Sequence, residues 1–221
     1  MSPKIYVYKC VYDDGIAPCV DRGRLSLTVC KPQIRRTAAV GDYLVSFGGN
    51  AESPPNRLVY AARITARLPG GEYFDKPAFQ TRQGCLYERT PRGLLRLRRD
   101  AAVHQRPADQ LKDVGPAPEY PNAIALVSDD FRYFGAKGTD DWKAIAPRLA
   151  RLVEHLGQGH RVNHSREIRD DLLRLIAQIW RDFPRKLNGA TYHEPIGRPA
   201  QRQTCAPRGA GHRPRIKARR C

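Results

Sequence analysis

A run from residue 57 to residue 68, in which every second side chain is apolar, constrains the fold of this 221-residue chain more than any other segment. A two-residue period is typical of a β-strand with one face in the protein core. A shorter apolar run at residues 43–47 precedes it, and the loop between them, residues 48–56, is rich in turn-forming residues. The sequence therefore predicts an antiparallel hairpin at the centre of a sheet.

Further strands are predicted on both sides of this hairpin. Branched and aromatic residues indicate a first strand at residues 4–11, and the continuous apolar run at residues 123–128 indicates a buried strand. A second hairpin is expected between residues 85–88 and 94–98. We expect these strands to form a mainly antiparallel sheet.

Helical periodicity appears only toward the C-terminus of the predicted domain. It predicts a helix over residues 142–156, divided at Pro147, and a second helix over residues 166–183, capped by Ser165. The polar, proline-rich residues 101–121 are expected to form a long loop. The fold class is therefore α+β, with a C-terminal pair of helices.

The formal net charge of +17 and the isoelectric point of about 10.1 are typical of proteins that bind nucleic acid. Residues 195–221 carry eight basic and no acidic side chains, which leaves residues 1–194 with 31 basic and 22 acidic residues, a net charge of +9. We expect a single domain over residues 1–194 and a disordered basic tail over residues 195–221. The alternative to polyanion binding is that the tail is only solvated.

Six cysteines without a CxxC pair, and the absence of a secretion signal or a long apolar run, predict a cytoplasmic protein with reduced thiols and no membrane contact. The spacing predicts no structural metal site. No P-loop, nucleophile elbow, zinc-protease or deaminase motif is present, so the sequence identifies no cofactor and leaves open whether the protein is an enzyme.

Two segments carry candidate phosphate or nucleotide ligands. In the first, residues 25–50, Pro32 fits the first position of a short helix whose free N–H groups and nearby cations predict an anion site. In the second, residues 157–163, an arginine and an amide precede a helix N-terminus. Solvated surface arginines are the alternative for the first segment, and a structural turn is the alternative for the second. The candidate ligands are Lys31, Arg35, Arg36, Arg161 and Asn163.

Four residues are candidates for catalysis. Cys30 lies beside these cations, which favour a reactive thiolate, but a buried structural cysteine is the other interpretation. His160, Asp42 and Asp129 are candidate general bases, and Asp129 is alternatively the cap of a turn. No role is predicted for His104, because the sequence places no partner beside it.

A second basic cluster lies on the hairpin predicted at residues 85–98. Arginines on one face of a strand, beside an aromatic ring, predict contact with a nucleic-acid backbone and stacking on a base. An edge strand protected by charge against aggregation is the alternative. The candidate contacts are Tyr87, Arg89, Arg92, Arg96 and Arg98.

Residues 30–42 (CKPQIRRTAAVGD), with residues 13–18 (DDGIAP) upstream, resemble the second type of nucleotide modification associated domain, a family of phage and bacterial proteins linked to hypermodification of DNA bases. The resemblance continues through YFD at residues 73–75, ALVSDDFRYFG at 125–135 and GQGHRVN at 157–163, and covers roughly residues 4–163. It implies a role around modified nucleotides, with nucleotide or DNA and other DNA-modification enzymes as partners.

A second resemblance concerns the fold. The pattern VGDYLVSFGG followed by LVYAARITARL is similar to the small β-barrels of the PUA and EVE type, which bind nucleic acids or modified bases. This resemblance implies a small PUA-like barrel as the alternative to an open sheet.

Three functions remain open. The first is a nucleotide- or DNA-binding protein of a base hypermodification pathway that modifies the base or its nucleotide precursor. The second is a non-catalytic, PUA-like reader of modified bases. The third is an accessory protein that binds DNA without specificity, mainly through its tail.

Overall fold

The centre of the computed structural model, which describes residues 2–157 and 159–191, is a five-stranded sheet. Strands β4 (Tyr43–Phe47) and β5 (Leu58–Arg63) form the antiparallel hairpin predicted from the sequence. Strand β1 (Ile5–Lys9) pairs in parallel with β4, and this parallel pair makes the sheet mixed. The edges are β10 (Asp130–Tyr133) beside β5 and the short β11 (His160–Arg161) beside β1.

A second sheet of four strands lies in the order β2–β3–β9–β6. Its strands are β2 (Cys19–Asp21), β3 (Arg24–Leu27), β6 (Ala66–Leu68) and β9 (Ala125–Ser128), all paired antiparallel. The second predicted hairpin is confirmed as an antiparallel pair, β7 (Tyr87–Arg89) with β8 (Leu95–Leu97). Within the described residues these sheets remain open, so the strands do not close into a PUA-like barrel.

The prediction of one continuous strand over residues 57–68 is wrong, because the run is divided between two sheets. Strand β5 belongs to the first sheet and β6 to the second. The prediction of a single core face is wrong as well, since Leu58 and Ala61 pack on one side of β5 while Tyr60 and Ala62 pack on the other. A strand buried on both faces needs no polar side, which explains its nearly continuous apolar composition.

Helices cover one face of the first sheet. The predicted division at Pro147 is confirmed, since α5 (Trp142–Ile145) ends before α6 (Pro147–His155) begins. Helix α7 (Arg166–Asp182) begins at Ser165, whose side chain accepts the N–H of Ile168. Its apolar stripe, including Leu172 and Leu175, packs with α5, α6 and strands β1, β4 and β5 in one core.

Short helices connect the remaining strands. They are α1 (Pro32–Thr37), α2 (Glu72–Asp75), α3 (Pro77–Gln80), α4 (Pro107–Asp113) and a 3₁₀ turn at Gly135–Lys137. Helix α4 corrects the prediction that residues 101–121 form a loop: Pro107 starts the helix, and Asp113 is buried near its end. The predicted tail at residues 195–221 lies outside the described residues. Across the described ranges, no helix combines the length and the apolar character needed to cross a membrane.

Candidate active site

Cys30, His104 and Asp113 form a continuous hydrogen-bonded chain just beyond strand β3. The Cys30 Sγ lies 3.7 Å from the Nε2 of His104, and the Nδ1 of His104 is hydrogen-bonded to the Oδ2 of Asp113. Cys30 is half-buried, whereas the side chains of His104 and Asp113 are 22% and 1% exposed. A thiol, an imidazole and a buried carboxylate in this order form the arrangement by which enzymes activate a cysteine nucleophile.

The backbone around the thiol adopts an unusual conformation. Cys30 and Lys31 both have a positive φ, 56° and 40°, and His104 has a φ of 58°. Non-glycine residues rarely adopt this region, which costs about 1–3 kcal/mol each and is concentrated at functional sites. The consecutive pair turns the chain sharply between β3 and the Pro32 start of α1, and it places the thiol beside His104.

The Asp113 carboxylate is held in place from several directions. Its Oδ1 accepts the backbone N–H of Cys30 at 3.0 Å, and its Oδ2 accepts the phenol of Tyr87 at 3.0 Å in addition to the His104 bond. An ionised carboxylate only accepts hydrogen bonds, so the shared proton stays on the Nδ1 of His104 and leaves Nε2 facing the thiol.

Opposing effects determine the charge of His104. Burial lowers the pKa of the imidazole, but hydrogen bonds and charge interactions with Asp113 and Cys30 outweigh it and raise the pKa from 6.5 to about 10. His104 is therefore an imidazolium at neutral pH. An imidazolium beside a cysteine stabilises the thiolate, which is the nucleophilic form.

Arg35 links the segments that carry Cys30 and Asp113, and it does not bind an anion. Its side chain is completely buried, and its five N–H groups donate to the backbone carbonyls of residues 30, 112, 113, 122 and 124. The prediction of Arg35 as a phosphate ligand is wrong, because no donor remains for a ligand. Instead the guanidinium joins the Cys30 turn to the end of α4 and raises the local positive charge around Asp113.

Two further predicted site residues have structural roles. Tyr87 is 1% exposed and donates to Asp113, so the prediction that its ring stacks on a base is wrong. Asp42 is 7% exposed, and its oxygens accept the backbone N–H groups of Lys4 at 2.8 Å and Ala39 at 2.9 Å. The prediction of Asp42 as a general base is therefore wrong, because one oxygen stabilises the turn at Ala39 and the other anchors Lys4 at the start of β1.

Lys31, the residue after Cys30, and His160 lie on the face of the first sheet opposite α5–α7, against Tyr8 and Tyr6. The ammonium group of Lys31 is 5.1 Å from the centre of the Tyr8 ring, and the ring of His160 is 5.8 Å from that of Tyr6. Burial, followed by the charges of Lys31 and Arg161, lowers the pKa of His160. Lys31 and His160, predicted from two distant segments, thus share one face of the sheet, and the lowered pKa favours the neutral form of His160. Arg161 pairs with Val7 of the face that the helices cover.

The remaining predicted phosphate ligands lie on the surface. Arg36 is exposed on α1, and its backbone carbonyl accepts the guanidinium of Arg67 at 3.4 Å. Asn163 is exposed after strand β11. The roles of Arg36 and Asn163 as phosphate ligands remain predictions.

The hairpin arginines are largely engaged with acidic partners. Arg89 forms a two-oxygen ion pair with Asp75, Arg96 pairs with Glu88, and Arg98 pairs with Asp100. Arg92 is exposed in the turn. Asp129 is also exposed, and its carboxylate accepts the guanidinium of Arg24 at 3.0 Å. The ion pairs of Arg89, Arg96 and Arg98 reduce the positive charge of the hairpin, as expected if it is an edge strand protected by charge against aggregation.

A comparison with known families shows the family of the chain. The sequence profile described as nucleotide modification associated domain 2 matches residues 2–196. The chain belongs to this family. The match confirms the resemblance seen in the sequence and extends it beyond residues 4–163. No curated protein and no solved structure matches the chain.

In this nucleotide modification associated domain, sequence reasoning missed two of the three residues of the Cys30–His104–Asp113 chain. His104 and Asp113 lie 74 and 83 positions from Cys30, and no local pattern links such distant residues. In the part of the chain that the structure describes, no group of three or more His, Cys, Asp or Glu side chains is placed to hold a metal ion. The hydrogen bonds that join Cys30, His104 and Asp113 are those of an activated cysteine nucleophile.

Proposed function

We propose that this protein is an enzyme that modifies a nucleotide or a DNA base in a base hypermodification pathway, with Cys30 as its nucleophile. The observation that carries this proposal is the chain from Cys30 Sγ through His104 to the buried Asp113. Membership of the nucleotide modification associated domain 2 family supports the substrate class. The backbone conformation at Cys30 and Lys31 also supports a functional site.

Each residue of the chain has a defined task. His104 holds the proton of the Cys30 thiol on Nε2, and Asp113 orients the imidazole through Nδ1. The thiolate attacks an electrophilic carbon of the substrate, forming a C–S bond, and the electron pair of the attacked double bond moves to the atom at its far end. His104 then returns the same proton to that atom, so the addition is balanced without any oxidant or reductant.

Lys31, which follows Cys30 directly in the chain, supplies the binding part of the proposal. The charges of Lys31 and Arg161 both act on His160, and Arg161 is exposed. Lysine and arginine are the usual partners of phosphate. We assign Lys31 to a phosphate of the substrate, whose base or sugar would then lie near Cys30, the preceding residue.

The test is mass spectrometry of nucleosides from DNA of cells that express the protein with its neighbouring genes. A nucleoside that appears or disappears with the wild type is expected to revert with Cys30→Ser and with His104→Gln. His155→Gln is the matched control, because His155 is exposed on α6 and bonds only the Arg151 carbonyl among the described residues. Circular dichroism and thermal unfolding establish that the variants are folded.

Thiol alkylation gives an independent measurement that needs no substrate. Cys30 is expected to react with iodoacetamide at pH 7 faster than the buried Cys10, Cys19 and Cys85, and His104→Gln should slow it about 10-fold or more. If folded Cys30→Ser protein leaves the nucleosides unchanged while binding modified DNA like the wild type, the enzyme proposal fails and the non-catalytic reader is the correct function.

A further inference from the structure

The phenol of Tyr87 bonds to the same carboxylate oxygen as His104. Asp113 Oδ2 accepts the Tyr87 hydroxyl at 3.0 Å and is also hydrogen-bonded to His104 Nδ1, whereas Oδ1 accepts the backbone N–H of Cys30. Burial and the charge of Asp113 raise the pKa of Tyr87, so the phenol keeps its proton and donates. These protein donors replace water around the charge of a carboxylate that is itself buried.

The packing of its ring fixes the position of the Tyr87 hydroxyl. Tyr87 is the first residue of β7 and is completely enclosed. The centre of its ring lies 5.3 Å from that of Phe74, in a core that also contains Leu95 of the partner strand β8. The hydroxyl is therefore held at Asp113 by rigid surroundings, as a preorganised donor should be.

This donor affects where the proton shared by His104 and Asp113 resides. A proton on Nδ1 leaves a charged pair, and a proton on Oδ2 leaves two neutral groups, which burial favours. Hydrogen bonds donated to a carboxylate favour its charged form. The Tyr87 bond therefore favours the imidazolium of His104, which is the form that stabilises the Cys30 thiolate.

We propose that Tyr87 is a positioning residue of the Cys30 site, which keeps the shared proton on His104 and thereby keeps the thiol reactive. This inference rests on the proposed function and adds a residue that acts through Asp113. Arg35 does not have this role, because its N–H groups donate to backbone carbonyls and not to the carboxylate.

Other charges near the pair come from two helices. Arg35, on α1, interacts with Asp113 and Cys30, and Asp109, on α4, interacts with His104. The variants below retain Arg35 and Asp109, so the differences between variants report on the substituted groups alone.

The test is the rate at which iodoacetamide alkylates Cys30 in full-length Tyr87→Phe protein, followed by mass spectrometry from pH 5 to pH 10. Phenylalanine keeps the ring and removes only the hydroxyl. We expect the rate at pH 7 to fall about 5-fold and the midpoint of the pH profile to rise by about 0.7 pH unit. In a His104→Gln background the same change should alter the rate by less than about 1.5-fold, because the proton acceptor is gone.

Tyr73→Phe is the matched control. Tyr73 is buried in the same hydrophobic cluster as Tyr87, but its hydroxyl bonds Ser26 and Arg82. This variant should leave the alkylation of Cys30 within about 2-fold of the wild type. Urea unfolding of both variants gives the stability lost with each hydroxyl, so a merely structural role of Tyr87 would appear as a stability loss with an unchanged pH profile.

A measurement on the wild type needs no substitution. The Tyr87 hydroxyl proton and the His104 Nδ1 proton bond the same oxygen, so a nuclear Overhauser effect should connect them. Both ring nitrogens of ¹⁵N-labelled His104 should carry protons at pH 7. In Tyr87→Phe the Nδ1 signal should move toward that of an unprotonated nitrogen.

Three outcomes would overturn the inference. They are a Tyr87→Phe pH profile identical to that of the wild type, an equal effect of Tyr87→Phe with and without His104, and the absence of the Overhauser effect. None of them bears on the nucleoside change that Cys30→Ser tests, so failure of this inference is distinguishable from failure of the enzyme proposal.

Discussion

Replacing His104 by Asn should remove a pH-dependent contribution to folding stability. The pKa of His104 is raised from 6.5 to about 10 by Asp113 and Cys30 against the effect of burial. Because the folded state binds the proton more tightly than the unfolded state, this contribution is complete below about pH 6.5. It is lost as the pH rises through about 10.

The size of this contribution to the free energy of unfolding follows from the difference between the pKa of His104 in the unfolded and in the folded protein. At about 1.4 kcal/mol per pH unit, the rise from 6.5 to about 10 corresponds to at most ~5 kcal/mol. The His104 side chain is 22% exposed and Asp113 is also held by Tyr87. We therefore expect the stability difference between wild type and His104→Asn to decrease by about 2–4 kcal/mol between pH 6.5 and pH 10.

The assay is urea unfolding followed by tryptophan fluorescence at half-unit intervals of pH for both proteins. Titratable groups that do not contact His104 affect both chains equally, so the difference reports on His104 together with its partners Cys30 and Asp113. His155→Asn is the control and should show no such trend, because His155 is exposed. A difference between wild type and His104→Asn that stays constant within about 0.5 kcal/mol would refute the imidazolium.

Two further substitutions test the roles of Arg35 at the site and of Ser165 at the start of α7. Arg35→Lys should lower the free energy of unfolding in urea by about 3–5 kcal/mol, because lysine cannot replace five carbonyl contacts and leaves Asp113 poorly compensated. The control Arg36→Lys should change it by less than about 0.5 kcal/mol, and equal effects of the two substitutions would contradict the role assigned to Arg35. Ser165→Ala should cost about 1 kcal/mol because the N–H of Ile168 loses its partner. Ser165→Asn should retain most of that stability in thermal unfolding, and equal losses in both would show that capping is not the cause.

Local sequence patterns predicted most of the elements correctly. The hairpin of β4 and β5, the short helix that begins at Pro32, the division of helices at Pro147 and the cap at Ser165 all depend on interactions between residues close in the chain. Proline, periodicity and capping act over a few residues, so the sequence alone contains their physical cause.

The predictions that were wrong concerned relations between distant segments. The apolar run at residues 57–68 looked like one strand with one buried face, but packing on both sides of β5 and the change of sheet at β6 are tertiary effects. The same is true of Arg35, which looked like a surface cation until folding brought five carbonyls from three segments around it.

The candidate site could be predicted in part from local sequence and in part only from the tertiary structure. The sequence by itself determined the family, the basic character of the chain, and the importance of the segment that contains Cys30 and Lys31, because these depend on residue identity and short-range order. Only the tertiary structure decided that His104 and Asp113 complete the chain behind the thiol and that Asp42 and Tyr87 do not act on a ligand. Hydrogen bonds of this kind depend on positions in space that distant parts of the chain reach only when the core between them is packed.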